Sequence, residues 1–282
     1  MPLQPCAFLT MALYTDQMGR TVVLPHWPPQ RIVSLVPSQT ELLFELGLGD
    51  KIVGLTKFCI HPSAQCRQKD KIGGTKKLHI SKIIKLQPDL IIGNKEENEK
   101  SDIAALEALF PVWMSHIITL QDALDMIIQI GQITDTAAQA GQMTQHIRKA
   151  FAILPQQPLQ KPSVVYLIWR KPYMAAGGLT FINEMLELAG FDNLLKKQER
   201  YPVLADEDLR QLSPQVILLS SEPYPFNDKH VAEIKKLSPT SVVLLTNGEA
   251  FSWYGSRLLS SASYLADVCR TASLLVRSQQ NM

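Results

Sequence analysis

The 282-residue sequence is short of charge imbalance, of cysteine and of long apolar runs. Each shortage excludes a class of protein. Lys and Arg number 28 against 26 Asp and Glu, a formal net charge of +2. A polyelectrolyte tail or a strongly basic nucleic-acid platform is therefore not the organising feature, and no nucleic-acid partner is expected. Four cysteines cannot staple a chain of this length into a disulfide scaffold. No stretch of ~18 apolar residues occurs, so no helical membrane span is expected. The first 30 residues hold one Arg (Arg20), no Lys and no apolar stretch ending in a small-residue cleavage site. The sequence as it stands thus reads as lacking a secretory signal, and on that count as cytoplasmic.

Catalytic motifs are scarce as well. Gly73-Gly74-Thr75-Lys76 lacks the flanking strand and the spacing of a phosphate loop, and no serine sits in a nucleophile elbow. Cys59 and His61 suggest a nucleophile and base, but a separation of two on a loop does not establish contact. Cys59, His61, Cys66 and His79 match none of the usual zinc spacings, so no metal site is assigned. A Cys59–Cys66 disulfide and two free buried thiols both fit the sequence.

What is present is 46% hydrophobic residue content arranged as short apolar runs closed by turn residues. Ile32–Val36, Lys51–Leu55, Leu90–Ile92, Val112–Ile117, Val164–Trp169, Val216–Leu219 and Val242–Leu245 read as strands. Being apolar throughout, they suit parallel sheets covered on both faces, with helices between them. Ser38 and Glu41 have capping-box spacing ahead of an apolar stripe of Leu42, Leu43 and Leu46, stopped by Gly47. From Leu120 to Leu154 apolar residues recur at helical spacing with no proline, which predicts one long helix ended by Pro155, Pro158 and Pro162.

The halves repeat each other. Leu86-Gln-Pro-Asp-Leu-Ile-Ile returns as Leu212-Ser-Pro-Gln-Val-Ile-Leu, 126 residues later, and Thr40-Glu-Leu-Leu is matched more loosely by Asn183-Glu-Met-Leu. The expected architecture is α/β: two Rossmann-like lobes with parallel sheets, joined by one long backbone helix, with a ligand cleft between the lobes. The divisions are residues 1–30 (extension and hairpin), 31–119 (first lobe), 120–155 (helix) and 156–282 (second lobe).

Ligands of open parallel sheets bind outside the carboxyl ends of the strands, so the loops after strands are the candidate site. They carry Lys57, His61, Lys76, Asn94 and Glu96 in the first half. The second half offers Trp169, Tyr173, Trp253, Tyr254 and Arg257. Aromatic area interleaved with a few charges is the composition of a small-molecule pocket. Core packing is the competing reading for Trp169 and the preferred one for Trp113, and solvated charge competes for Glu96 and Glu97. Lys57, Lys76 and Arg257 favour an anionic ligand, whereas Glu96 argues for metal or amide contact.

Tyr14-Thr-Asp-Gln-Met-Gly-Arg-Thr-Val-Val-Leu-Pro, followed by Pro29-Gln-Arg-Ile-Val-Ser-Leu-Val-Pro-Ser-Gln-Thr-Glu, closely resembles the opening of ABC-transporter substrate-binding proteins of the helical-backbone class. That class binds ferric siderophores, haem and cobalamin, and the likeness runs from about residue 14 to about residue 275. The resemblance implies the substrate-binding component of an importer for an iron chelate or a cobalamin-like corrinoid. It implies a monomer that delivers ligand to an ABC permease and performs no chemistry, with no resident cofactor. Cobalamin-binding members present one acidic residue per lobe to the permease; those positions fall here on Glu207 and Ser81, so one carboxylate is missing. Aromatic positions of their site fall on Lys76 and Asn94, and Arg257 matches a family arginine near the pocket. The resemblance also implies export to the periplasm or cell envelope, against the missing signal. Two alternatives stay open: a cytoplasmic sensor or carrier of the same fold without a permease, and a metal-binding enzyme using Cys59 and His61. Met11 leads directly into the family motif, so Met1–Thr10 reads as an upstream extension or a misassigned start.

Overall fold

The computed structural model describes residues 10–154 and 161–280. The expected extension at residues 1–9 and the stops at Pro155 and Pro158 lie outside the described residues. The chain divides into two compact units. One comprises Met1–Ile117, Gln121–Thr144 and Tyr254–Ser256; the other comprises Ile118–Leu120, Gln145–Trp253 and Arg257–Met282.

The first unit opens with an antiparallel hairpin of β1 (Thr10–Thr15) and β2 (Thr21–Trp27). Then come β3 (Ile32–Ser34), α1 (Pro37–Glu45), β4 (Ile52–Leu55), α2 (Ser63–Arg67), β5 (Asp70–Lys71), and a short ribbon of β6 (Gly73–Gly74) and β7 (Lys77–Leu78). α3 (Ile80–Leu86), β8 (Leu90–Asn94), α4 (Lys100–Glu107) and β9 (Val112–Ser115) follow. The sheet order is β5-β4-β3-β8-β9, every pair parallel. All residues of β3, β8 and β9 are buried, as a sheet covered on both faces requires. Trp113 is 1% exposed and fills core. From β3 the chain winds out to one edge through β4 and β5 and then to the other through β8 and β9, so the carboxyl ends of β3 and β8 are the switch point of this unit.

α1 starts two residues earlier than expected, with Pro37 in its first turn and Val36 in place of Ser38 as N-cap; no side chain caps it, so the Ser38–Glu41 box does not form. Proline's fixed φ and missing N–H suit that position.

The single helix expected over 120–155 is two, α5 (Leu120–Ile133) and α6 (Ala137–Ala152). Between them Asp135 takes a left-handed φ of 61°, and the Thr136 N–H reaches back to the Gly131 carbonyl at 2.7 Å. The Thr134 hydroxyl donates to the Ile130 carbonyl at 2.6 Å. Thr-Asp-Thr offers the backbone local alternatives to helix continuation, which apolar spacing alone does not register. α6 contributes residues to both units.

The second unit holds β10 (Ser163–Trp169), β11 (Tyr173–Ala175), α7 (Phe181–Ala189), β12 (Asp192–Asn193), β13 (Val203–Leu204) and α8 (Asp206–Leu212). These are followed by β14 (Val216–Ser220), α9 (Asp228–Leu237), β15 (Val242–Thr246), α10 (Gly248–Ser252) and α11 (Leu258–Gln280). β12, β14 and β15 lie in a parallel ladder system around β10, as expected, but β11 is antiparallel to both β10 and β13. No helix among the described residues is long and apolar enough to cross a membrane.

The repeat is structural. α3 and α8 occupy positions 126 apart, residue for residue, and so do the first and last residues of β8 and β14. Each helix ends in a left-handed residue, Gln87 (φ 44°, ψ 60°) and Ser213 (φ 43°, ψ 53°), just before the shared proline. The looser match holds too: α1 and α7 are each followed by a positive-φ glycine, Gly47 and Gly190.

Candidate ligand-binding site

In the first unit the loop after β4 is tied to the β6–β7 ribbon by the Lys57 N–H, which donates to the Gly73 carbonyl at 2.8 Å. Gly73 has φ 107°, and a Cβ there would stand 2.5 Å from the Lys77 carbonyl oxygen, so only glycine makes this turn. The turn brings Lys57 and Phe58 over Gly74, with the Lys57 ammonium 5.0 Å from the Phe58 ring centre. Phe58 is 51% exposed, an apolar plate that sequence reasoning did not single out. Lys76 reaches the loop after β8, donating from Nζ to the Glu96 carbonyl at 2.6 Å. Lys57, Lys76 and Glu96 are thus brought to one end of this sheet. His61, half-buried before a cis peptide to Pro62, sits further along the same β4 loop.

Asn94 does not belong with them as a ligand contact. It is 1% exposed; its Oδ1 accepts the Glu96 and Glu97 N–H groups at 2.8 and 3.1 Å, and its Nδ2 donates to Ser115 Oγ at 2.9 Å. The residue builds the loop after β8 instead of lining it. Cys59 and Cys66 are free thiols, each 1% exposed. Cys59 Sγ lies 3.0 Å from Thr40 Oγ1 and 3.2 Å from Thr56 Oγ1, and burial pushes its pKa up. Burial likewise pushes Cys66 up to about 11, and its thiol donates to the His61 carbonyl. Both are the reverse of an activated nucleophile, so the Cys59–His61 enzyme reading is not supported.

In the second unit the carboxyl ends of β14 and β15 assemble a charged cluster. Trp253 Nε1 and Ser252 Oγ both donate to Glu222 Oε1 at 2.9 Å. The Arg257 guanidinium lies 4.7 Å from the Trp253 ring centre and pairs with Glu249 Oε2 at 2.8 Å. Burial, foremost, pushes the Glu222 carboxyl above the usual carboxylate range, against the pull of its two donors and Arg257. Gly248 permits the approach, since a Cβ there would stand 2.6 Å from Glu222 Cγ. Glu222 and Glu249 carry this cluster and were not among the expected site residues; only their position after strands pointed to them.

Trp253 and Tyr254 are each 7% exposed, so they present little surface. Trp169, at the end of β10, is 40% exposed and meets Tyr224 edge-on, with ring centres 5.6 Å apart. Tyr173 is instead a core residue, 6% exposed on β11, its hydroxyl donating to Glu233 Oε1 at 2.8 Å while Arg170 clamps the same carboxylate with two bonds. The loop reading placed it outward because the turn through Lys171 and cis-Pro172 makes a hairpin that reverses the chain back into the sheet. Glu207 is exposed in the first turn of α8, paired to Arg210, and Ser81 is exposed at the matching place on α3.

A model of the periplasmic binding protein family matches residues 32–240. The chain belongs to that family. A relative in sequence is the vitamin B12-binding protein of Vibrio campbellii, 26% identical over 250 residues that cover 86% of this chain and 89% of the relative. The crystal structure of the periplasmic vitamin B12-binding protein of Vibrio cholerae superposes with a TM-score of 0.72 at 25% identity, covering 87% of this chain and 98% of that one. The apo periplasmic heme-binding protein of Roseiflexus sp. RS-1 has the same fold, with a TM-score of 0.76 at 20% identity over 88% of this chain and 99% of that one. The expected α/β periplasmic-binding fold of the helical-backbone class is therefore the one observed, with its connecting helix broken in two.

Proposed function

We propose that the chain is the substrate-binding component of an ABC importer for a cobalamin-like corrinoid or an iron chelate such as haem or a siderophore. The supporting observation is the near full-length likeness to a vitamin B12-binding protein, on a fold whose neighbours include heme-binding proteins. Lys57, Phe58, His61, Lys76 and Glu96 of the first unit, and Trp169 and Arg257 of the second, are the proposed ligand contacts, whereas Trp253 and Tyr254 are buried and Trp253 is proposed to support Arg257. Glu207 is the proposed permease-docking carboxylate, Ser81 its uncharged counterpart, and the proposed place of work is the periplasm or cell envelope, as a monomer. Titrating the purified chain with cyanocobalamin, haemin and ferric siderophores, with tryptophan emission as readout, tests this. Saturable quenching by one of the three at micromolar concentration or below is expected. No binding by any, beside a relative that does bind, overturns the proposal.

A further inference from the structure

The segment 67–85 carries seven Lys and Arg and one acid, Asp70. Because the whole chain has a net charge of only +2, the rest of it is net negative, and the overall balance conceals the run. The fold gathers it onto one part of the first unit. Arg67 ends α2, Lys69 follows, and β5, the β6–β7 ribbon and α3 are tied together by the His79 N–H donating to the Ile72 carbonyl at 2.8 Å. Lys82 Nζ donates to the Lys71 carbonyl at 3.4 Å, closing α3 onto β5.

Three of the seven cations have a partner, Lys82 through the Lys71 carbonyl just described. Lys71 turns to the Cys66 carbonyl at 2.9 Å, and Lys76 Nζ lies 3.8 Å from Glu99 Oε1. Of the other acids nearby, Asp102 on α4 accepts the Leu78 N–H at 3.0 Å. Among the described residues, no carboxylate lies within ion-pair distance of Arg67, Lys69, Lys77, Lys82 or Lys85. Ile84, between Lys82 and Lys85 in sequence, is 38% exposed. The repeat counterpart, 193–211, holds four cations and four acids, and α8 begins Asp206-Glu207-Asp208. The same helix and turn are thus built without a basic surface, so the charge is not a by-product of the fold.

We propose that this face of the first unit docks on an anionic phospholipid surface. Six of the seven cations are Lys, a hydrated point charge. A surface reading individual carboxylates on a protein favours the planar, bidentate fork of Arg. Diffuse headgroup charge asks for no such geometry, and exposed Ile84 supplies an apolar contact among the lysines. Each lysine near an anionic leaflet strengthens binding by roughly fivefold.

Co-sedimentation of the full chain with large unilamellar vesicles tests the proposal, using phosphatidylglycerol and phosphatidylcholine at about 1:3 against phosphatidylcholine alone. Binding is expected to the anionic vesicles at about 50 mM salt and to fade by about 300 mM, where charges are screened within several ångströms. The triple variant Lys77→Gln, Lys82→Gln, Lys85→Gln lowers the partition coefficient on the order of a hundredfold, with an unchanged thermal melt, since all three side chains are exposed. Lys236→Gln, which removes an exposed cation from α9 of the second unit, leaves it unaltered. Absence of binding at low salt, equal binding to neutral vesicles, or undiminished binding by the triple variant overturns the proposal. So does tighter binding to polyglutamate than to vesicles at equal charge concentration, which assigns the face to an acidic protein.

Discussion

Trp253 and Glu222 form one hydrogen-bonded pair, indole Nε1 to carboxylate Oε1 at 2.9 Å, at the carboxyl end of the second unit's sheet. The carboxyl is held above its ordinary pKa chiefly by burial. When a folded pKa exceeds the unfolded one, the stability it contributes is full below the unfolded value and is lost as pH rises through the folded value. Glu222→Gln retains an acceptor for both donors and removes that loss. In urea melts its stability relative to the parent should be greater at pH 7 than at pH 4. An advantage that grows toward pH 4 would contradict the assignment.

His230 gives the opposite slope. It is 3% exposed, its Nδ1 accepts the Asn227 N–H at 3.0 Å, and its Nε2 lies 3.1 Å from the Tyr224 hydroxyl. Burial first, then Lys229 and Arg170, hold its pKa below the ordinary histidine value, with Glu233 opposing. The stability it contributes is therefore intact above about pH 6.5 and is lost as pH falls through the lower folded value. The parent should lose stability over that interval, and His230→Gln should lose less. Parallel pH profiles for the two proteins would rule this out.

Trp169 is the tryptophan proposed as a ligand contact, and it is the last residue of the central strand β10. Trp169→Ala should weaken binding of whichever ligand quenches emission by about tenfold or more, equivalent to ~1.4 kcal/mol. Its stability should change by no more than ~1 kcal/mol, because the ring is 40% exposed. Unchanged affinity in the titration would remove Trp169 from the site.

Gly255 has φ 138°, and a Cβ built on it would meet the Ser38 carbonyl oxygen at 3.1 Å and Leu42 Cβ at 3.4 Å, all within the first unit. Gly255→Ala should cost about 1–3 kcal/mol in chemical denaturation, from backbone strain and the crowded carbonyl. A cost below ~0.5 kcal/mol would show that the segment relaxes freely.

Apolar runs made the parallel strands β3, β4, β8, β9, β10, β14 and β15 legible, because buried parallel strands have no polar face to confuse the period. The repeat was legible through one proline and its neighbours, and its left-handed Gln87 and Ser213 turns follow from that shared connection. The break at Thr134–Thr136 was hidden, since hydroxyl-to-backbone bonds leave the apolar spacing of α5 and α6 intact. Position after a strand pointed to Lys57, Lys76, Trp169 and Arg257, which remain proposed contacts, but it could not tell a loop that presents side chains from one that consumes them. Asn94 and Tyr173 were lost to that distinction, because an Asx turn and a hairpin edge both look like loop in sequence. Glu222 and Glu249 were overlooked because single acids become informative only when an indole and a guanidinium converge on them. The basic face was missed for a different reason: net charge sums over a whole chain, whereas a surface is local.

The two covered thiols of the first unit have a practical corollary. Cys59 and Cys66 are sealed from solvent and held protonated, so alkylating reagents gain access only when the surrounding backbone opens. Cys269 on α11 is half-buried, so its label uptake adds direct access to any opening of the second unit. The rate of label uptake at Cys59 and Cys66, followed by peptide mass, therefore clocks the breathing of the first unit, and protection gained there on adding a ligand would reveal whether the ligand steadies it.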